Sequence, residues 1–242
     1  MSVSDGKLAT SGRNIRITPV PKPTSSFLPI ACTSVILKAL ERLMFRRITT
    51  LFGPVSDANQ FAYKNPRSPM DAVATLTHSL LSSLDAHAKR ARACFFDFSS
   101  AFNTVDRNIL LSKLIKLRMD NSLLSWMVDY LSNRKQCTSM NGISSSFLPV
   151  DRGVLQGAIL SPFLFSIYIK DLRGTPNNLL LKFADDLVVS HGILNRQGTE
   201  ELGDFVNRLV ADTEDLKLKL NVDKCHEINF HLTFIITSSF IY

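Results

Sequence analysis

LLLKFADDLVVS, residues 179–190, decides how this chain is read. Two short apolar runs, Leu179 to Phe183 and Leu187 to Ser190, flank Ala184-Asp185-Asp186. That pattern reads as a β-hairpin with two acids at its bend. A carboxylate at the end of an apolar strand loses hydration that something else must restore, and two adjacent carboxylates also repel. Upstream, the apolar run Ala91 to Phe96 reads as a buried strand and ends at a third acid, Asp97. Only folding can bring the two acid sites together. A divalent cation removes both penalties at once, and hard carboxylate oxygens select Mg²⁺ or Mn²⁺ over zinc. Two such ions, about 3.5–4 Å apart, activate an attacking hydroxyl and stabilise the leaving group of an in-line displacement. Asp is also common in turns and caps, so a structural role for each acid stands beside this reading.

Around these acids the chain alternates irregularly between helical and extended patterns. PVPKPTSSFLP, residues 19–29, is an extended lead-in, because proline disfavours helix in the residue before it. From Thr33 the pattern is helical, with Val35, Ile36, Leu40, Leu43 and Met44 near one face and Lys38, Glu41, Arg42 and Arg46 off it. Leu51-Phe52-Gly53-Pro54 closes that helix. A second helix starts at Ser68-Pro69 with the stripe Val73, Leu76, Leu80, Leu81 and Leu84. Asp106 to Leu117 and Ser122 to Leu131 read as further helices. Asn141-Gly142 between Lys135 to Met140 and Ser146 to Val150 is a hairpin signal. Ile159 to Leu172 reads as a buried helix starting near Ser161-Pro162, and residues 199–219 as an amphipathic one. Strands mixed with helices without strict alternation indicate an α+β fold.

Composition narrows the function classes. The 242 residues carry 28 Lys plus Arg against 21 Asp plus Glu, a net charge of +7, which leans towards a polyanionic partner. The hydrophobic content of 45% excludes wholesale disorder. Cys32, Cys94, Cys137 and Cys225 form no C-x-x-C pair, which argues against a disulfide scaffold or a cysteine zinc site. No apolar stretch reaches the ~18–20 residues needed to span a bilayer, and the first residues, MSVSDGKLATSGR, have no signal-peptide core. No membrane partner is expected.

Seven blocks give the acids a context. FFDFSSAFNTVDR (95–107) resembles the A motif of reverse transcriptases from non-LTR (LINE-type) retrotransposons, GVLQGAILSPFLFSIYIKDL (153–172) their B motif and KFADDLVV (182–189) their C motif. RITPVPKP (16–23), LPIACTSVILKALERL (28–43) and QFAYKNPRSPMDAV (60–73) are similar to the fingers motifs, and LNVDKCHEI (220–228) to the D motif.

The resemblance implies a right-hand polymerase fold of fingers and palm without a thumb, its antiparallel palm sheet packed on helices. The expected division is a disordered lead at 1–13, fingers at 14–90, and palm at 91–106. An insertion with a hairpin follows at 107–152, palm again at 153–230, and a non-family tail at 231–242. It implies RNA-directed DNA synthesis from an RNA template, a DNA primer and deoxynucleoside triphosphates, with two Mg²⁺ ions, or Mn²⁺ in their place. Asp97, Asp185 and Asp186, with the backbone carbonyl of Phe98, are the implied metal ligands. Phe102 is the implied ring beneath the incoming sugar, which would exclude a 2′-hydroxyl. Gln156 and Gly157 are implied to position template or nucleotide, Lys224 to protonate the leaving pyrophosphate, and Lys22 and Lys38 to contact phosphates. Leu155 and Leu28 depart from the family, which usually has proline and arginine there. The alternative is an inactive relic that retains weak nucleic-acid binding. Phe102 argues against a further rival, an RNA-dependent RNA polymerase, and the ordered fingers motifs argue against a metal-dependent nuclease. By the family, the nucleus is the implied compartment.

Overall fold

The computed structural model describes residues 13–22, 27–52, 57–64, 66–86, 88–231 and 235–240. In chain order they form β1 (Asn14–Pro21), β2 (Phe27–Cys32), α1 (Val35–Phe52), α2 (Pro69–Asp85), β3 (Arg90–Phe96), α3 (Ala101–Thr104), α4 (Arg107–Lys116) and α5 (Asn121–Leu131). Then come β4 (Arg134–Met140), β5 (Ile143–Ser144), β6 (Leu148–Val150), α6 (Ser161–Tyr168), β7 (Leu179–Phe183), β8 (Asp186–Ile193), α7 (Arg196–Asp215), a 3₁₀ turn (Val222–Lys224), β9 (His226–Phe230) and β10 (Ile235–Phe240). The mixture is α+β, as the sequence pattern requires. The chain divides into two compact units, Met1–Val55 with Phe102–Tyr168, and Ser56–Ala101 with Ile169–Tyr242.

In the first unit residues 19–21 and 27–29 of the extended lead-in belong to a sheet of order β2-β1-β4-β5, with β6 also pairing β4, while 23–26 lie outside the described residues. β1 runs antiparallel to β2, with Pro19 opposite Pro29. It runs parallel to β4 only over Asn14 to Ile17. Its prolines therefore lie beyond the stretch where both edges need N–H donors. Asn141 and Gly142, at φ 52° and 81°, close the turn at the expected place, but it leads into the short β5; of the expected partner run Ser146 to Val150, β6 pairs β4 further back, with Val150 opposite Arg134. Asp106 and Asp120 cap α4 and α5, each accepting backbone N–H groups of the first turn. α6 is shorter than the apolar text 159–172 suggested, and it is buried almost all round. Of the lead expected to be disordered, residues 1–12 lie outside the described residues. Arg13 is described, and its guanidinium pairs with Asp129.

α1 corrects the sequence reading. Its buried face is Leu37, Glu41 and Ile48. Val35, Ile36 and Leu43, expected inside, are 83%, 61% and 62% exposed. The register turns because Glu41, expected outside, has interior partners. Its carboxylate accepts the Tyr130 hydroxyl at 2.7 Å and the Ile159 N–H at 2.8 Å. Burial pushes Glu41 above its ordinary value of 4.5, against those two bonds and the nearby Lys38 charge. Between 4.5 and the raised value the folded chain binds more protons than the unfolded one. Linkage then makes this group's contribution full below 4.5 and lost as pH rises through the folded value. Glu41→Gln is expected to remove that part of the slope when urea midpoints are compared from about pH 4.5 to 7.5.

The second unit is built on a sheet of order β10-β9-β3-β8-β7. β3 pairs antiparallel with both β8 and β9, from Arg90 opposite Ile193 to Phe96 opposite Leu187 on the β8 side. α2 begins with a capping box, Ser68 and Asp71 each accepting the other's backbone N–H, and Pro69 fills its first position. Leu80 and Leu84 of α2 form a core cluster with Ala91 and Ala93, and Leu76, Phe95, Val188 and Phe230 pack around it. Val73 and Leu81, read as part of the same stripe, are instead 57% and 55% exposed. α7 starts earlier than its apolar pattern, because Asn195 caps it, and it buries Leu202, Phe205 and Leu209 against the unit. The tail beyond residue 230 contributes β10, which pairs antiparallel with β9. No helix among the described residues is long and apolar enough to cross a membrane.

Candidate active site

The three acids lie at one end of the second unit's sheet. Asp97 follows β3 directly, and Asp186 is the first residue of β8. Because Phe96 pairs with Leu187, the next step of that register sets Asp97 opposite Asp186. Phe183 pairs with Asp186, so Ala184 and Asp185 form a two-residue turn. Ala184 takes φ 57°, a left-handed conformation at a position where such turns usually carry glycine.

The segment after α7 docks on the first acid. Asn221 N–H donates to the Asp97 carbonyl at 2.8 Å, and Ser99 N–H donates to the Lys219 carbonyl at 2.8 Å. These bonds flank the bridge between Phe98 and Leu220 and do not use the carbonyl of Phe98. Lys224 Nζ stands 3.2 Å from Asp97 Oδ2. That oxygen is buried and has no hydrogen bond among the described residues, so the ammonium offers charge without hydrogen-bond geometry. Asp186 is exposed, yet its carboxyl is pushed above the usual carboxylate range. Partial desolvation acts first, then the charges of Asp185 and Asp97, with Lys224 pulling the other way. Tyr63 is also raised, by desolvation and by the charge of Asp185.

This site concentrates negative charge and leaves a buried acceptor oxygen, Asp97 Oδ2, without a hydrogen bond among the described residues. No three carboxylate, imidazole or thiol groups among the described residues converge into a preassembled metal cage. The donor set, all hard oxygen, and the unsatisfied Asp97 Oδ2 nonetheless fit an oxygen-seeking divalent ion.

The other sequence-predicted residues belong to the first unit. Phe102, in α3, stacks on Phe165 with ring centroids 4.7 Å apart, and its carbonyl accepts Val154 N–H at 2.8 Å. Gly153, at φ 75°, lies against Asn103, whose backbone would stand 2.7 Å from an added Cβ. No side chain fits there. The Gln156 carbonyl accepts Ala31 N–H at 2.8 Å, while its side-chain Oε1 is buried with no partner among the described residues. Gly157 is exposed with φ 95°. Leu155, which replaces the family's proline, is buried. Lys22, just after β1, and Lys38, on α1, are exposed. Buried Arg134 donates to the carbonyls of Arg152 and Gly153, holding this loop from within, and burial lowers its pKa to about 10.

Sequence reasoning missed the support of the acid hairpin. Lys182 is 1% exposed, and its ammonium donates to Asp57 Oδ2 at 2.7 Å and to the Ile169 carbonyl at 2.9 Å. Gln60, fully buried, reaches Ala184. The available signal was a lysine inside the apolar run LLLKFA, which needs a buried partner, although nothing local says which.

Comparison with known proteins gives the chain a family and a fold. The family model described as reverse transcriptase (RNA-dependent DNA polymerase) matches residues 20–236. The RNA-directed DNA polymerase from mobile element jockey of Drosophila melanogaster is 25% identical over 87% of this chain and 24% of its own length. The probable RNA-directed DNA polymerase from transposon BS of the same organism is 28% identical over 82% of this chain and 23% of its own. The chain thus spans about a quarter of the length of the curated relatives it matches. Among solved structures, telomerase from Candida tropicalis in complex with a fragment of telomeric RNA superposes with a TM-score of 0.65. It is 15% identical, and the match covers 92% of this chain and 42% of that one. The apo enzyme truncated from its C-terminal domain gives 0.61 at 15% identity, over 92% of this chain and 51% of that one. That likeness shows the fold.

Proposed function

The chain belongs to the reverse transcriptase (RNA-dependent DNA polymerase) family, whose members use divalent metals, and from that premise we propose that it carries the nucleotide-adding centre of an RNA-directed DNA polymerase. The observation that carries this reading is the register that sets Asp97 opposite Asp186, beside Asp185 and under Lys224. Asp97, Asp185 and Asp186, with the Phe98 carbonyl, would hold two Mg²⁺ ions, or Mn²⁺. When bound, the ions supply charge stabilisation at the reacting phosphate.

In this reading a primer 3′-hydroxyl loses its proton to water and its oxygen bonds to the α-phosphorus of a deoxynucleoside triphosphate. The bond from that phosphorus to the bridging oxygen breaks, and pyrophosphate leaves. Lys224 gives the pyrophosphate its proton. The exposed Lys22 and Lys38 meet phosphates, and Gln156, beside Gly157, positions template or nucleotide. Electrostatic contacts of this kind weaken binding as salt rises.

Extension of a DNA primer on an RNA template, with Mg²⁺ or Mn²⁺, tests the proposal. Product is the expected result. Retained template binding without product would instead support the inactive relic. Phe102 adds a second readout. Its ring is held by the stack on Phe165, so Phe102→Val is expected to open the space beneath the sugar. The ratio of ribonucleotide to deoxynucleotide incorporation should then rise roughly 10–200-fold, the range over which a pocket discriminates substrates that differ by one small group, here the 2′-hydroxyl.

A further inference from the structure

The acid turn depends on a residue far from it in the chain. β7 is the last strand of its sheet, so one edge of the hairpin has no strand beside it. Residues 57–62 cover that edge. Lys182 N–H donates to the Asn59 carbonyl at 2.8 Å, and Phe61 N–H donates to the Lys182 carbonyl at 2.9 Å. Backbone groups two residues apart point to the same edge of a strand, so those of Ala184 face the same way as those of Lys182. No backbone of the covering segment reaches them. The Gln60 side chain does: its Oε1 accepts Ala184 N–H at 3.2 Å, and its Nε2 donates to the Ala184 carbonyl at 3.4 Å. The same Oε1 accepts Ala62 N–H at 3.0 Å, which ties the amide to its own loop.

Gln60 is 0% exposed, so its amide has no water to fall back on. Arg67 stiffens the loop by donating to the carbonyls of Ala58 and Gln60 and lying over the Phe61 ring, 4.7 Å from its centroid. The residue so held is in a left-handed conformation costly for alanine, φ 57°. Asp185 and Asp186 follow it directly. We propose that Gln60 is a positioning residue: by satisfying both backbone groups of Ala184 it fixes the turn that aims Asp185 and Asp186. Its catalytic consequence rests on the polymerase reading, while the hold on the turn does not.

The test replaces Gln60 with methionine, which keeps the length and removes both polar atoms. Hydrogen exchange across residues 182–189 is expected to quicken at least ten-fold, with β3 still protected. In primer extension kcat is expected to fall at least ten-fold, with KM for nucleotide within two-fold, because the nucleotide contacts are untouched. If Gln60→Met does not fold, Gln60→Glu is read instead. It keeps the acceptor and loses the donor, and the same local exchange increase is expected. Unchanged exchange in the hairpin, or equal loosening of the whole sheet, overturns the proposal. A wild-type chain that makes no product, in which Gln60→Met still loosens the turn alone, sinks the polymerase reading and sustains the hold on Ala184.

Discussion

Asp185→Ala is expected to slow nucleotide addition by about a thousand-fold or more while leaving the fold at least as stable. The rate loss follows from the proposed reading, in which this acid holds a metal ion. Charge stabilisation by bound metal amounts to several kcal/mol, and each 1.36 kcal/mol is a factor of ten in rate. The stability half has the opposite sign. The charge of Asp185 helps push Asp186 above the ordinary carboxylate range, so its removal relieves a repulsion. Single-nucleotide extension and thermal melts on the same preparations read both halves. A collapse in rate with Tm unchanged or higher separates a chemical role from a folding one. Extension retained within ten-fold of wild type would take Asp185 out of the chemistry.

The parts of this fold that were legible in the sequence are those that local chemistry specifies. The acid hairpin showed itself through apolar runs that stop at Phe183 and resume at Leu187. The β4–β5 turn showed itself through Asn141-Gly142, and both residues adopt positive φ. α2 was marked by Ser68-Pro69, which the capping box bears out. The failures share one cause, a partner distant in sequence. Glu41 looks like a surface residue until Tyr130 and Ile159 are folded against it. Gln60 looks like an ordinary loop amide, yet it spans 124 positions to reach Ala184. The proline-rich lead-in read as extended, but the residues just before it, Asn14 to Ile17, pair in parallel with β4, a strand more than a hundred residues later. Of the candidate site, the acids and Lys224 were legible because motif order supplied the long-range information that periodicity lacks. The groups that hold those acids were not.

Asp57→Ala is expected to be the most destabilising single change near the site, costing about 3–5 kcal/mol, the usual penalty for breaking a buried ion pair by removing one partner. Lys182 is 1% exposed, and losing Asp57 leaves its ammonium with two backbone carbonyls, those of Ile169 and Lys170. For a chain of this length that cost lowers Tm by roughly 10 °C. The pH dependence gives an independent check. Burial pulls Lys182 below its ordinary 10.5, and Asp57 opposes that pull. Without Asp57 the folded value drops further, while the unfolded one stays. Between the two the unfolded chain binds more protons, so stability rises with pH across that window. Asp57→Ala should therefore regain stability between neutral pH and about pH 10 more steeply than wild type does. Removing both charges, in Asp57→Leu with Lys182→Met, should cost much less than Asp57→Ala alone, because no orphan charge remains. Urea midpoints at pH 7 and pH 9.5 for the three proteins decide it. Equal midpoints for wild type and Asp57→Ala would mean that the ion pair does not hold β7, and that the acid hairpin is anchored by the backbone bonds of Asn59 and Phe61 and by the Gln60 amide instead.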